Sequence, residues 1–341
     1  MLTRFYFVFL SLFIITSIFL WGCKKADNNP EPADPLLGDS ELPYTREDWM
    51  SNVDDGITLG QMTIPGTHDS GADLHTSQVN SIASPYVICQ DFHMTNQLKL
   101  GVRWFDIRLR YVDDGDLAVH HGDYYLHKNF SDVLNWSLEF LSDHPSEVVI
   151  LMIKQENSSA SAHDFGWAVY NEILSKGLDH FFLENRVPSL GEARGKIFIV
   201  RQFQKPASMD FGIFTDWASN TTGSFTEYGG VGFYVQDHYS LTWVETSTKF
   251  YEVEHCIDLA TIEAYNHVFH LNFVSGERVE KLETLWTTAS QINPLVEGYL
   301  ELYNPGKKNC GVIMINFAGG GDDDPRNCAP NLVLDILNKN F

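Results

Sequence analysis

The sequence predicts an α/β fold built as a single irregular (β/α)8 barrel of the TIM type, and three observations support this prediction. Apolar runs rich in β-branched residues alternate along the chain with amphipathic stretches of helical period. Most of these runs are nearly continuous, as expected of parallel strands buried on both faces. About eight such runs within about 295 residues fit a closed barrel better than an open doubly wound sheet.

The strand candidates are short runs dominated by Val, Ile, Leu and Phe. They are Leu59–Ile64, Val102–Leu109, Leu117–His120, Val148–Lys154, Ile197–Gln202, Gly232–Gln236, Val268–Val274 and Val312–Phe317. The helix candidates between and after them are Ser131–Ser142, His163–Lys176, Tyr251–Tyr265, Gln291–Tyr303 and Pro330–Leu337. Ser131 is a candidate N-cap and Gly177 a candidate C-cap. Poor helical periodicity over Gly66–Gln97 predicts that the barrel is irregular there.

The first 43 residues read as a targeting region. Arg4 precedes an apolar run that ends in Leu20-Trp21-Gly22-Cys23, so we expect residues 1–23 to be a lipoprotein-type signal peptide with a lipid on Cys23. An uncleaved transmembrane anchor is the alternative. Residues 24–43 have the composition of a flexible tether, which leaves residues 44–341 for the barrel. Either reading predicts an exported protein attached to the bacterial cell envelope.

Charge and cysteine content narrow the class of protein. The net charge of −22 and pI near 4.8 argue against nucleic acid as a partner and against charge-driven approach to anionic membranes. Three disulfide pairings are open to the four cysteines after the signal, of which the pair closest in sequence is Cys310 and Cys328. No cysteine or histidine spacing is typical of a zinc site.

Polar side chains lie at the carboxyl ends of successive predicted strands. In a parallel barrel the carboxyl ends of all strands meet at one face, where catalytic residues of such barrels lie. The residues concerned are His68, Asp69, Asp106, Arg108, His121, Lys154, Arg201 and Asp237. Any one of them could be a structural ion-pairing or hydrogen-bonding residue, but their repeated position predicts an active site at this face.

Three motifs are the most informative: Met62-Thr-Ile-Pro-Gly-Thr-His68-Asp69-Ser70, Phe105-Asp106-Ile107-Arg108 and His120-His121-Gly122. Together they resemble the X domain of phosphatidylinositol-specific phospholipases C, and more closely the secreted bacterial enzymes. The resemblance runs from about Leu59 to Phe317. Three further motifs follow in family order: His144-Pro-Ser-Glu147, Arg194-Gly-Lys-Ile197 and Val235-Gln-Asp237-His-Tyr239.

The resemblance implies a phospholipase C reaction in which the inositol 2-hydroxyl attacks phosphorus, diacylglycerol leaves and a cyclic inositol phosphate forms. It implies that His68 is the base and His121 the acid, roles that suit a side chain titrating near neutrality. Asp106 would orient His121, and Arg108, held by Asp69, would bind the phosphate. Because Arg108 stands where calcium-dependent relatives supply carboxylates, we expect no metal and no cofactor.

The same resemblance implies which residues contact the substrate. The expected inositol-binding residues are Lys154, Arg201, Asp237 and Tyr239, with Phe273 as a candidate for stacking under the ring. One departure stands out, because Asn316 occupies the position of an aspartate that supports the base histidine in the bacterial enzymes. Asp322–Asp324 follow closely and could supply the missing carboxylate, although so polar a loop more often faces solvent.

Three further expectations concern substrate, membrane and assembly. Alternative functions are a phosphodiesterase of the same family that acts on a glycosylated or GPI-like headgroup or another phospholipid, and a non-catalytic lipid- or glycan-binding lipoprotein. The segment Asn220–Gly232, with Phe225 and Tyr228, is a candidate apolar loop that dips into lipid. We expect a phosphatidylinositol-type lipid and a membrane surface as partners, and a monomer.

Overall fold

A computed structural model describes residues 44–73, 83–112, 115–206, 209–242, 244–278, 283–302, 308–319 and 328–341. These residues belong to one compact unit, Leu36–Phe341. The expected signal peptide with Cys23, the tether and the Asp322–Asp324 run lie outside the described residues. Within the described ranges, every helix is too short or too polar to cross a membrane.

Twelve strands and eight α-helices form the described part of the chain. The strands are β1 Ile64–Thr67, β2 Trp104–Tyr111, β3 Leu117–His121, β4 Tyr124–Asn129, β5 Val149–Gln155, β6 Phe181–Phe182, β7 Ile197–Gln202, β8 Ile213–Phe214, β9 Ser224–Tyr228, β10 Val231–Gln236, β11 Val268–Phe273 and β12 Val312–Ile315. The helices are α1 Ser84–Val87, α2 Met94–Lys99, α3 Phe130–Asp143, α4 Ala162–Lys176, α5 Leu190–Ala193, α6 Thr246–Glu263, α7 Leu285–Leu302 and α8 Leu332–Asn338.

Seven parallel strands form the curled centre of the sheet, in the order β7-β5-β2-β1-β12-β11-β10. Strands β6 and β8 extend the β7 edge, while β9 pairs antiparallel with β10. The hairpin β3–β4 branches from the end of β2. Among the described residues no strand pairing joins the two edges, so the sheet has the predicted α/β barrel character but stays open on one side.

The interior of the curled sheet is filled by large aromatic side chains. Phe269 packs against Trp104, Phe233 and Phe198, with ring centroids 5.3, 5.6 and 6.3 Å apart. All four residues are at most 1% exposed. Because alternate side chains of each strand point inward, one apolar residue, Val200 or Val235, separates this layer from Gln202 and Asp237, which line a cavity at the strand ends. The aromatic layer therefore supports any site that lies at the carboxyl ends of these strands.

The first strand begins later than predicted. Leu59–Gln61 is a 3-10 helix that starts with a Thr58–Gln61 capping box, and β1 begins only at Ile64. The strand then runs through Pro65 and Gly66. A Cβ at Gly66 would collide with Met314 of the neighbouring strand, so glycine is needed for this close approach. The shift places His68 directly after the strand.

Two local predictions were wrong. Helix α3 is capped by Asn129 and not by Ser131, because Asn129 and Asp132 form the capping box. The predicted loop around Phe225 is strand β9, joined to β10 by the turn Gly229-Gly230. Tyr228 pairs with Val231 at the amino end of β10, so this turn lies at the opposite end of the sheet from the polar strand ends.

The cysteines of the described chain are free. Cys89, Cys256 and Cys310 are buried thiols, and Cys328 is half-buried. Cys328 Sγ lies 3.8 Å from the carbonyl oxygen of Ala289, as a weak donor would. The Cys310–Cys328 disulfide considered from the sequence is therefore not formed.

Candidate active site

A polar cavity of about 370 Å³ opens at the carboxyl ends of the parallel strands. It is lined by His68, Arg108, His121, Lys154, Glu156, Gln202, Asp216, Trp217, Ser219, Asp237, Tyr239, Ser275, Gly276, Glu277, Leu285 and Asn316. The predicted histidines, the arginine and the asparagine thus share one pocket. This is the face at which the sequence placed the site.

His68 is held between an amide and a guanidinium. Its Nδ1 lies 2.9 Å from Asn316 Oδ1, and its Nε2 lies 2.6 Å from Arg108 Nη2. Because a guanidinium can only donate, Nε2 must be an acceptor, so the proton of the neutral ring sits on Nδ1 and is donated to Asn316 Oδ1. The lone pair on Nε2 therefore faces the pocket, as a general base requires.

The surroundings of His68 favour its neutral form. Burial and the neighbouring positive charge of Arg108 lower the pKa of His68 to about 3, although Asp106 acts in the opposite direction. Phe273 meets the imidazole edge-on, with ring centroids 6.2 Å apart. The ring is consequently ready to accept a proton from a bound hydroxyl without first having to lose one.

Arg108 is fixed by two buried carboxylates. Its Nε and Nη2 donate to Asp106 Oδ2 at 3.2 and 3.1 Å, and Nη1 lies 3.5 Å from Asp69 Oδ2. The two carboxylates outweigh the effect of burial and raise the pKa of Arg108 well above its usual value. Burial by itself would raise the pKa of Asp106, but the charge of Arg108 and then His68 lower it. The guanidinium is thus a permanent charge at the pocket wall.

Asp69 lies beside Arg108 as expected, but Asp106, which we expected to orient His121, also contacts Arg108. Asp106 accepts from Arg108 and from the backbone N–H of Asp69, whereas the carboxylate nearer His121 is Asp69, whose Oδ2 lies 3.6 Å from Nδ1. His121 Nδ1 also lies 2.7 Å from the carbonyl oxygen of Val87. Donation to that carbonyl leaves Nε2 of His121 available to the pocket.

Asp69 adopts an unusual backbone conformation. Its φ of 45° is in the left-handed region, which aspartate tolerates better than most residues. Its side chain is fully buried, and neither carboxylate oxygen has a hydrogen-bond partner among the described residues. Burial raises the pKa of Asp69 to about 6, against the opposing charges of His121 and Arg108.

Three of the five predicted substrate-binding residues line the pocket. Lys154 lies beside Arg108 on the neighbouring strand, and Asp237 accepts a hydrogen bond of 2.9 Å from Trp217 Nε1. Burial raises the pKa of Asp237. Tyr239 also reaches the cavity, where its hydroxyl lies 2.7 Å from Ser219 Oγ.

Arg201 does not line the pocket, which corrects the sequence prediction. Its guanidinium donates to the carbonyl oxygens of Phe211, Phe203 and Gly212 at 2.6, 3.0 and 3.3 Å. Side chains alternate along a strand, so when Arg108 and Lys154 face the pocket, their register partner is Gln202 and Arg201 faces outward.

The stacking aromatic was also misassigned. Phe273 is only 2% exposed and packs beneath Trp217, with ring centroids 5.9 Å apart. Trp217, in contrast, lines the cavity together with Tyr239. It lies in an irregular segment between β8 and β9, where no strand or helix pattern distinguishes it.

Two more residues escaped sequence reasoning. Gln202 could have been found by strict alternation along β7. Gln90 is fully buried and donates from Nε2 to the carbonyl oxygens of His68 and Ile315, at 2.7 and 3.0 Å. It ties the end of β1 to the end of β12, which fixes the spacing of His68 and Asn316. No sequence pattern marks this role.

Arg108 supplies a permanent positive charge to the pocket wall. Within the described ranges, one group of three metal-ligating side chains has its ligand atoms within 4.8 Å of one another: Asp69, Cys89 and His121. Neither Asp106 nor Asn316 belongs to it.

Comparison with known proteins agrees with this geometry. Residues 62–203 match the family model described as phosphatidylinositol-specific phospholipase C, X domain. The chain is 29% identical to a 1-phosphatidylinositol phosphodiesterase of Staphylococcus aureus over 290 residues, 82% of this chain and 90% of the relative. A 1-phosphatidylinositol phosphodiesterase of Listeria monocytogenes is 26% identical, covering 80% and 81%.

Solved structures show the same likeness. A phosphatidylinositol-specific phospholipase C structure from S. aureus superposes with a TM-score of 0.76 at 26% identity, covering 87% of this chain and 98% of that one. The L. monocytogenes enzyme gives a TM-score of 0.67 at 23% identity, over 86% and 99% of the chains, and shows the shared fold. Both support the predicted barrel class.

Proposed function

The chain belongs to the X-domain family of phosphatidylinositol-specific phospholipases C, and on that premise we propose that it cleaves phosphatidylinositol to diacylglycerol and inositol 1,2-cyclic phosphate without a metal ion. One observation carries the proposal: a neutral imidazole, a permanent guanidinium and a second imidazole line one polar pocket. Attack on a phosphodiester needs a base, a charge beside the non-bridging oxygens and an acid for the leaving oxygen.

His68 acts as the base. When the inositol 2-hydroxyl approaches, His68 Nε2 removes its proton while Asn316 Oδ1 keeps the Nδ1 proton in place. Arg108 must first leave Nε2, from which its Nη2 lies 2.6 Å away. A phosphate oxygen offers the guanidinium a better acceptor than a neutral imidazole, so substrate binding itself frees the base.

Arg108 then binds the non-bridging oxygens of the phosphate. Its anchors Asp106 and Asp69 hold the guanidinium at a fixed place, so the positive charge is organised before the reaction starts. Charge that develops on these oxygens in the transition state is stabilised there without rearrangement of the protein.

His121 completes the reaction as the acid. Its Nε2 gives a proton to the diacylglycerol oxygen as that oxygen leaves, and Nδ1 stays directed to the Val87 carbonyl. The Asp69 carboxylate, 3.6 Å from Nδ1, stands beside the positive charge that His121 carries before transfer. The Asp69 carboxylate thus lies beside both catalytic cations, Arg108 and the protonated His121, whereas the Asp106 carboxylate pairs with Arg108.

The remaining walls suit a polyhydroxylated ring. Lys154, Asp237, Gln202 and Tyr239 present charged and neutral hydrogen-bonding groups, and Trp217 offers an apolar face. Groups of this kind discriminate by being left unpaired when the wrong ligand enters. No observation favours a different headgroup or a non-catalytic role over phosphatidylinositol.

The proposal is tested by incubating the chain with phosphatidylinositol vesicles in excess chelator and identifying the products by phosphorus NMR. Diacylglycerol and the cyclic phosphate should appear, and His121→Gln should abolish both. His120→Gln is the matched control, because the His120 ring packs against Tyr125, with centroids 5.7 Å apart, and does not line the pocket. Absence of product, or a requirement for added metal, would overturn the proposal.

Attachment to a membrane remains a separate proposal. The sequence around Cys23 supports a lipid anchor that would hold the enzyme at its substrate surface. Expression of a Cys23→Ser variant should move the protein from the membrane fraction to the soluble exported fraction. Unchanged membrane association would contradict a lipid on Cys23.

A further inference from the structure

We propose that Asp69, Cys89 and His121 form an inhibitory site for a thiophilic divalent cation, Zn²⁺ or Cd²⁺, directly behind the catalytic acid. This inference rests on the proposed function only for its inhibitory consequence, since binding can be measured without turnover. Cys89 has no part in the reaction described above, and no spacing in the sequence links it to His121 or Asp69.

The three ligand atoms have the spacing of a metal site. Cys89 Sγ lies 3.8 Å and Asp69 Oδ2 3.6 Å from His121 Nδ1, and all three atoms lie within 4.8 Å of one another. Zinc bonds of about 2.3 Å to sulphur and about 2.0–2.2 Å to nitrogen and oxygen put tetrahedral ligand atoms roughly 3.4–3.6 Å apart. The two pairs around Nδ1 need shifts of a few tenths of an ångström, and the Cys89–Asp69 pair, which lies within 4.8 Å, must close by up to about 1 Å to complete three of four corners.

A second observation marks the place as one that can take a cation. Asp69 is fully buried, and neither of its carboxylate oxygens accepts a hydrogen bond within the described structure. A buried carboxylate without such partners costs free energy, which a bound cation would recover. The Arg108 guanidinium, 3.5 Å away, compensates part of the charge but does not hydrogen-bond the carboxylate.

The ligand set selects the kind of metal. Thiolate and imidazole together favour zinc and cadmium, whereas calcium and magnesium prefer oxygen ligands only. Binding also replaces the proton through which His121 Nδ1 bonds to the Val87 carbonyl at 2.7 Å. Only a cation with high affinity for nitrogen and sulphur can offset that loss.

The position of His121 determines both how a cation reaches the site and how its binding affects catalysis. Its side chain is 21% exposed and lines the cavity, whereas Asp69 and Cys89 lie behind it. A cation therefore enters through the substrate pocket. Once Nδ1 is metal-bound, the ring is no longer an imidazolium that can give its Nε2 proton to the leaving oxygen, and Asp69 is drawn from Arg108. The bound enzyme is inactive.

The experiment compares Cd²⁺ binding to the full chain with that to Cys89→Ser and Cys256→Ser, followed by the ultraviolet absorption of the thiolate–cadmium bond. Cys256 is the matched control, a fully buried cysteine on α6 whose Sγ lies near the carbonyl of Leu271. The wild type and Cys256→Ser should bind one Cd²⁺ per chain, and Cys89→Ser should bind it about tenfold more weakly or worse, without the absorption band.

Phospholipase assays then test the consequence. Zn²⁺ or Cd²⁺ should inhibit the wild type and Cys256→Ser reversibly, chelator should restore activity, and Ca²⁺ or Mg²⁺ should have no effect. Cys89→Ser should resist inhibition. Equal metal binding or equal inhibition in Cys89→Ser, or absence of the absorption band in the wild type, overturns the inference. A wild type that binds cadmium but cleaves no lipid would contradict the proposed function and leave the metal site standing.

Discussion

His68 shows how much of the chemistry is decided by the neighbours of a single residue. Asn316 and Arg108 together leave it one tautomer, with the proton on Nδ1 and the lone pair on Nε2. Arg108 Nη2 donates to that lone pair. The base is thereby held neutral and oriented, and it is released when a phosphate attracts the guanidinium.

The lowered pKa of His68 makes protein stability depend on pH. In the unfolded chain this histidine takes up a proton below about pH 6.5, whereas the folded protein resists protonation until about pH 3. The folded state therefore loses stability as pH falls from 6.5 towards 3. Because the ring is partly open to the pocket, we expect this residue to account for about 1–2 kcal/mol between pH 7 and pH 5.

Urea unfolding at the two pH values checks this expectation. The His68→Gln variant should lose less unfolding free energy than the wild type by that amount. His163→Gln serves as the control, because the His163 side chain is 70% exposed. An identical loss in His68→Gln and the wild type would mean that His68 is protonated as easily in the folded protein as in the unfolded chain.

Asn316 limits how well the protonated base is stabilised. Its amide oxygen fixes the tautomer but carries no charge to balance the imidazolium formed during the reaction. An Asn316→Asp change places a carboxylate 2.9 Å from Nδ1 and should raise kcat about tenfold or more, while Asn316→Ala should lower it. In serine proteases the opposite change, Asp to Asn, costs about 10⁴ in kcat. An unchanged kcat in Asn316→Asp would show that another group supports the base.

At the scale of the elements, strand alternation decides which side chains reach the site. Arg108, Lys154 and Gln202 are register partners on β2, β5 and β7 and therefore share the inner face. Arg201, one residue earlier on β7, belongs to the outer face, where three carbonyl oxygens surround it. Gln202 and Arg201 are adjacent in sequence, yet the first faces the substrate pocket and the second has a structural role on the outer face.

A pair of variants separates the two roles. Gln202→Ala should raise KM for phosphatidylinositol about 2- to 10-fold, the worth of one hydrogen bond, with the melting temperature unchanged. Arg201→Met should leave KM unchanged but lower stability by about 2 kcal/mol or more, because buried carbonyls lose their donor. Steady-state kinetics and thermal unfolding on both variants provide the check. A large rise in KM in Arg201→Met would restore it as a substrate contact.

How far the sequence predicts the site follows from the same geometry. His68, Arg108 and His121 were predicted because their motifs resemble those of the phospholipase family and follow or end apolar runs, although the strand before His68 begins later than predicted. The contact of Asp69 with both Arg108 and His121 was not predicted, and no motif reveals the positive φ of Asp69. Trp217 sits in an irregular segment between β8 and β9, and its place in the pocket depends on how that segment folds back over the sheet.

At the scale of the whole molecule, aromatic side chains fill the interior of the curled sheet, and the polar cavity lies at the carboxyl ends of its strands. The sequence predicted the barrel class and the polar strand ends, and the comparisons with S. aureus and L. monocytogenes enzymes support the barrel class. The opening between the two sheet edges was not predictable, because it depends on short strands such as β6 and β8, of two residues each. The lipid anchor and the monomeric state stay predictions.

A crystal structure of the chain with inositol 1,2-cyclic phosphate bound tests the central claim most directly. The phosphate should lie within hydrogen-bond distance of the Arg108 guanidinium, with His68 Nε2 and His121 Nε2 on either side and the inositol ring towards Lys154 and Asp237. Arg108 should have left its 2.6 Å contact with His68. A phosphate bound elsewhere, or one that lies in the pocket while Arg108 still occupies His68 Nε2, would contradict the mechanism.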